Sequence, residues 1–298
     1  MDAKPQTDIL PSGDGVPADA RQEPGLLSIL VLNPSIIIGG LLLAVIIAIT
    51  VIGPFFTLDP VLLNPINRLK VPGADGLFGT DYLGRDVFAR VIHGSRISLV
   101  VGLAVSIFAV SIGLAVGLVS GYVRVLDAIV MRIMDGLMAI PGILLAIALI
   151  SLSGATLLTV VVAIMIPEIP RVVRLVRAVV LSVREEPYVE AAIAAGTRLP
   201  LILVRHVLPN TIAPMIVQAT YICASAMLTE AILGFLGAGI PPEIPSWGNI
   251  MAEGRTYFQI SPWIIFYPGV ALAVTVLAVN TLGDGLRDTL DPRIARKM

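Results

Sequence analysis

Residues 184–210 read REEPYVEAAIAAGTRLPLILVRHVLPN, a polar stretch set between long apolar ones. Pro187 suits the first turn of a helix, where its missing N–H is no loss, and Gly196 suits the position just past a helix end. A short helix is therefore expected over about 187–195. Tyr188, Ala191, Ala192 and Ala195 recur at i, i+3, i+4 and i+7, giving a face that is mostly small and smooth, with Glu186 and Glu190 away from it. Such a face can lie close against a partner. After a turn at Gly196 and Thr197, Pro200 can open a second helix over 201–207 that stops before Leu208 and Pro209. The expected product is a compact helix–turn–helix outside the bilayer.

The rest of the chain sets the context for that loop. Of its 298 residues, 56% are hydrophobic and 14% charged, and the mean hydropathy is +0.93. That balance marks an integral membrane protein rather than a soluble one, and the spans expected below, each helical, make its fold class all-α. A net charge of -1 gives no reason to expect nucleic acid as a partner. One cysteine, Cys223, excludes an internal disulfide, and His93 and His206 lack carboxylate or thiol neighbours at ligand spacing, so no metal site is expected. Lys4, Lys70 and Lys297 follow no glycine-rich loop, so the chain is not expected to bind ATP through a P-loop.

Working outward, residues 1–33 lack an apolar block and read as a disordered, uncleaved cytoplasmic tail. An uncharged run over 34–58 is long enough to be the first transmembrane helix, and a polar external segment follows over 59–96. Within that segment Val87, Phe88, Val91 and Ile92 share one helical face, and Asp86 and Arg90 stand at i, i+4. We read a short helix lying on the outer membrane surface. The second span is expected over 97–123, with Gly113, Gly117 and Gly121 on one stripe where another helix can approach closely.

Between 136 and 167 each uncharged half is too short to cross alone, so the third and fourth spans must recruit charged flanks. The third is expected from near Leu126, kinked around Pro141 and Gly142, and the fourth past Pro167 towards Arg174. Arg132, Asp135, Glu168 and Arg171 are candidates for ion pairs between helices or for snorkelling to the headgroups. The fifth span, 211–240, has Glu230 as its one ionisable residue, which could serve the translocation path or be held by a neighbouring helix. Trp247 and Trp263 suit an interfacial aromatic belt, and 262–283 reads as the sixth span.

Glu190-Ala191-Ala192, Gly196 and the His206-Val207-Leu208-Pro209 ending resemble the signature loop of the permease subunits of binding-protein-dependent ABC importers. The His-x-Leu-Pro ending points to the dipeptide, oligopeptide and nickel branch, and to its second, C-type permease. Gly79-Thr80-Asp81, Gly84-Arg85-Asp86-Val87, Pro245-Ser246-Trp247-Gly248, Glu253-Gly254-Arg255 and Gly283-Asp284-Gly285-Leu286-Arg287-Asp288 extend the likeness over nearly everything after Pro34.

The resemblance implies the type I importer permease fold, with six transmembrane helices and both termini cytoplasmic. It places a five-helix core at 97–283, the coupling loop at 178–210 and a cytoplasmic tail at 284–298. Glu190, Ala191, Ala192, Ala195, Gly196, His206 and Pro209 would form the loop that docks on an ATPase subunit. The implied partners are a homologous second permease, two ATPase subunits carrying ATP and Mg, an extracytoplasmic substrate-binding protein and membrane lipid. No catalytic residue and no cofactor are expected on this chain.

Arginines at 124, 171–205 and 287–296 support cytoplasmic placement of their segments, while Arg68, Lys70, Arg85, Arg90 and Arg96 count against an external 59–96. Peptide is the expected solute, with nickel or another small solute as the alternative within the same architecture. A secondary transporter would show midplane ionisable residues or paired broken helices, and Glu230 alone does not make that pattern. A membrane enzyme would need converging nucleophile, base or metal motifs that the sequence lacks.

Overall fold

A computed structural model describes residues 33–73 and 76–290. The expected tail over 1–33, Asn33 excepted, and the last eight residues of the tail over 284–298 lie outside the described residues. The helices are α1 (Pro34–Ile52), α2 (Val87–Tyr122), α3 (Arg124–Met138), α4 (Gly142–Ser153), α5 (Leu157–Val183), α6 (Pro187–Ala194), α7 (Leu199–Ile202), α8 (Leu208–Phe235), α9 (Trp247–Gly254) and α10 (Trp263–Leu290).

Among the described residues, four helical stretches are long and apolar enough to cross a membrane: Pro34–Phe55, Val87–Tyr122, Leu199–Phe235 and Trp263–Leu290. The pair α3 and α4 would make a fifth, bent by 86° at its break. Pro141 causes that break, because it has no N–H to continue the ladder and Gly142 restarts the helix behind it. Helix α5 has 27 residues but carries Glu168, Arg171 and Arg174 in its middle, more charge than a purely apolar span holds.

Local chemistry accounts for the ends of these helices. Asn33 caps α1 by accepting from the Ser35 N–H at 3.0 Å, with Pro34 in the first turn. Its amide also donates to the Gly285 carbonyl at 3.2 Å and the Thr289 hydroxyl at 3.3 Å, which ties α1 to α10. Thr156 and Thr159 form a reciprocal capping box at the start of α5.

Two apolar clusters hold the bundle. One runs through α2, α5 and α8 and includes Val101, Val105, Val160, Val176 and Ile222. The other joins α2, α8, α9 and α10 through Val91, Met227, Trp247, Ile250 and Ile264. The glycine stripe lies in the first: a Cβ on Gly113, Gly117 or Gly121 would meet Val172, Val176 or Val180 at 2.5, 2.7 and 2.9 Å respectively. Glycine at every fourth position lets the α5 valines seat against the α2 backbone.

Three expectations are corrected. The surface helix expected around Val87, Phe88, Val91 and Ile92 is the first part of α2, a continuous 36-residue helix in which Val87, Arg90, Val91 and Ile92 are buried. Its charges had suggested an interface, but Arg90 finds its partners in other segments. The Asp86–Arg90 pair does not form; Asp86 caps α2, accepting from the Phe88 and Ala89 N–H groups. Trp247 does not sit in an interfacial belt, being 1% exposed and donating its indole N–H to the Val91 carbonyl at 3.0 Å. Trp263 is half-buried and donates to the Thr80 carbonyl at 3.3 Å.

Candidate functional site

The loop between α5 and α8 folds from its own punctuation. Pro187 starts α6, and Glu190 lies in its first turn, where a carboxylate favours the helix N-terminus. At the other end Thr197 N–H donates to the Ala192 carbonyl at 3.1 Å and Gly196 N–H to the Ile193 carbonyl at 2.9 Å. This is a Schellman ending, and it needs the φ of +77° that Gly196 adopts.

The expected stop before Pro209 does not occur. Leu199–Ile202 passes into a π turn, Leu203–Val207, and then directly into α8, with Leu208 N–H reaching the Leu203 carbonyl. The wider turn accommodates a proline at the second position of α8 without breaking the rod.

The loop is anchored from below and bare above. Val189, Ile202 and Val207 are buried in the first apolar cluster. Asn210 donates to both the Tyr188 hydroxyl at 3.2 Å and the His206 carbonyl at 2.7 Å, fastening the start of α6 to the start of α8. By contrast Glu190, Ala191, Ala195, Gly196 and Pro209 are exposed, while Ala192 and His206 are partly so. Ile193, Leu201 and Val204 are exposed around them at 47, 51 and 62%.

A second group of polar residues gathers where α3 turns into α4. Arg174 pairs with Asp135 at 2.6 Å and Arg177 grips both carboxylate oxygens of Asp127, so two bridges tie α3 to α5. Arg132 is exposed and makes no ion pair among the described residues. Glu168 and Arg171 pair within α5 rather than between helices, through two contacts of 3.0 and 3.1 Å, and Ser225 of α8 donates to Glu168 at 3.4 Å. A cavity of about 400 Å3 opens beside them. Glu230 stands apart from it, fully buried, with one oxygen accepting from Ser98 at 3.0 Å.

A third cluster escaped the sequence reading. Asp81, Arg85, Arg90 and Glu253 interlock, with Arg85 and Arg90 each bridging Asp81, at 2.6 and 2.8 Å, and Glu253, both at 2.5 Å. Two cations and two anions offset one another in a site where Asp81 is 0% and Arg90 1% exposed. Arg85 also lies over the Tyr82 ring, which stacks on Tyr257, and Arg68 lies over Tyr257 in turn. The network locks the segment before α2 to the end of α9. Asp81, Arg85 and Glu253 each occur in a quoted motif, but only a separation of more than 160 residues closed in space reveals that Glu253 is the partner of Arg85 and Arg90.

Nearby, burial pushes the Asp86 carboxyl above its ordinary range, against the two backbone N–H groups it caps. Among the described residues no three His, Cys, Asp or Glu side chains converge as metal ligands.

Comparison with known proteins matches residues 109–296 to the family described as binding-protein-dependent transport system inner membrane component. A probable peptide ABC transporter permease of Sinorhizobium fredii is 55% identical over 265 residues, covering 89% of this chain and 91% of that protein. A dipeptide transport system permease of Alkalihalophilus pseudofirmus is 41% identical, covering 88% and 87%. An oligopeptide transport system permease of Bacillus subtilis is 35% identical, covering 89% and 87%. Among solved structures, an inward-facing methionine ABC transporter matches with a TM-score of 0.54 at 22% identity, over 70% of this chain and 96% of that one. At that identity the likeness concerns the fold alone.

Proposed function

The chain belongs to the binding-protein-dependent transport system inner membrane components, and we propose that it is a permease subunit of a peptide-importing ABC transporter. It is a multi-pass protein of the inner membrane. In this reading the chain crosses six times with both termini cytoplasmic: the four apolar stretches, the bent α3–α4 pair and the charge-bearing α5 make the six. The partners are a homologous permease, two ATPase subunits that hold ATP and Mg, and an extracytoplasmic binding protein.

The single observation that carries the coupling role is the contrast within residues 187–209. Its apolar side is sealed into the core while Ala191, Ala195 and Gly196 stand open with their shape fixed by a Schellman ending. A docked helix transmits displacement only if its own pivot is stiff, and α8 leaves this loop as one continuous rod. Closure of the ATPase pair would move the loop and, through α5 and α8, switch the bundle between inward and outward access.

The test is uptake of labelled di- and oligopeptides by cells with and without this gene, alongside Gly196→Val. We expect deletion to abolish uptake, and the variant to insert normally, hydrolyse ATP in the assembled importer and fail to accumulate peptide. Unchanged peptide uptake on deletion would overturn the peptide reading and direct the search to nickel and other small solutes. Normal uptake by Gly196→Val would overturn the coupling role given to that glycine.

A further inference from the structure

The cavity beside the α3–α4 break has three unlike walls. Leu137, Met138, Ile140 and Gly142 supply an apolar rim, Pro167, Glu168 and Arg171 come from the middle of α5, and Tyr221, Ser225 and Thr229 come from α8. The α8 residues stand at i, i+4 and i+8 on one face, where the Ser225 hydroxyl donates to Glu168 and the Thr229 hydroxyl to the Ser225 carbonyl, so that both oxygens can still accept from an amide N–H. At about 400 Å3 the space falls in the range of small-ligand sites.

Charge in this cavity is unevenly satisfied. Both Glu168 oxygens are engaged by the Arg171 Nη1, one also accepts from Ser225, and the residue is 7% exposed. The Arg171 side chain is 47% exposed, and its Nη2 and Nε have no acceptor among the described residues. Glu168 thus orients the guanidinium and leaves an edge of it open, an arrangement suited to a planar carboxylate taking two parallel hydrogen bonds. An ammonium ion would find the available carboxylate already occupied.

We propose that Arg171, held in place by Glu168, receives the C-terminal carboxylate of a peptide in transit, while the Tyr221, Ser225 and Thr229 hydroxyls face its amide groups. The proposal rests on the peptide-importer reading and adds a site to it. A carboxylate inside the bilayer is costly unless a cation awaits it, and the Glu168–Arg171 pair supplies one while remaining neutral when no peptide is bound.

The experiment uses the assembled importer in lipid nanodiscs without its binding protein, and equilibrium binding of labelled trialanine and trialanine amide. The wild-type complex should bind the free acid about tenfold more tightly, a difference of about 1.4 kcal/mol. Arg171→Gln should bind both alike, and Arg171→Lys should keep part of the preference. Equal binding of acid and amide by the wild type, or a preference that survives in Arg171→Gln, overturns the site. If Arg171→Gln fails to assemble, the wild-type comparison still decides. Uptake of trialanine by the full wild-type system separates the two levels: import without acid preference sinks this site alone, and no import of any peptide sinks the reading beneath it.

Discussion

Small residues serve opposite ends in two regions of this molecule. Along α2, Gly113, Gly117 and Gly121 are buried beneath Val172, Val176 and Val180 of α5. On α6 and at its C-cap, Ala191 and Ala195 are exposed, and a Cβ on Gly196 would meet nothing within 4 Å. The same sequence signal, smallness at helical spacing, therefore marks a seam already closed within the chain in one place and, in the other, a surface with no occupant among the described residues. The first is satisfied by folding, and the second is the face that the proposed docking on an ATPase subunit would cover.

The largest effect is expected where burial is deepest. Arg90→Met leaves Asp81 and Glu253 with one cation between them, and breaking a buried ion network costs about 3–5 kcal/mol. Thermal unfolding in mild detergent should show a marked fall in Tm; an unchanged Tm would mean that Arg85 alone satisfies both carboxylates. On the closed seam, Gly117→Val forces a β-branched side chain into Val176, and overpacking costs about 1–3 kcal/mol. Pairing it with Val176→Ala should recover part of the loss, whereas strict additivity would deny that the two residues share one space.

On the open surface the balance shifts from stability to function. Gly196→Val keeps its space but not its backbone, since a φ of +77° costs an L-residue about 1–2 kcal/mol. Membrane insertion and global Tm should change little, while peptide uptake falls severely. Ala191→Trp sharpens the contrast most, because it should leave stability within about 0.5 kcal/mol of wild type, as surface changes do. Co-purification of the ATPase subunits with it should drop; full retention would show that this face is not the docking surface.

Much of the architecture was legible because its causes are local. Hydropathy marked the apolar spans, Asn33-Pro34 marked the start of α1, and Pro187 with Gly196 marked both ends of α6. The misreadings came where a distant partner altered what a residue does. Asp86, Arg90 and Arg96 made the start of α2 look too charged to lie in a bundle, yet Arg90 is neutralised by Asp81 and Glu253. Pro209 looked like a helix stop, but the π turn before it preserves the rod. Glu168 and Arg171 were visible as candidates, though not that they pair along one helix and leave a cationic edge at a cavity.

What the sequence by itself determined is the membrane class, the position of the apolar helices and the shape of the α6 loop, since hydropathy and the backbone limits of proline and glycine act over a few residues. What only the tertiary structure decided is which charges meet, which small faces close and where the cavity forms. Those outcomes depend on desolvation and contact between segments far apart in the chain: Asp81 and Glu253 acquire a common role only when Arg85 and Arg90 stand between them.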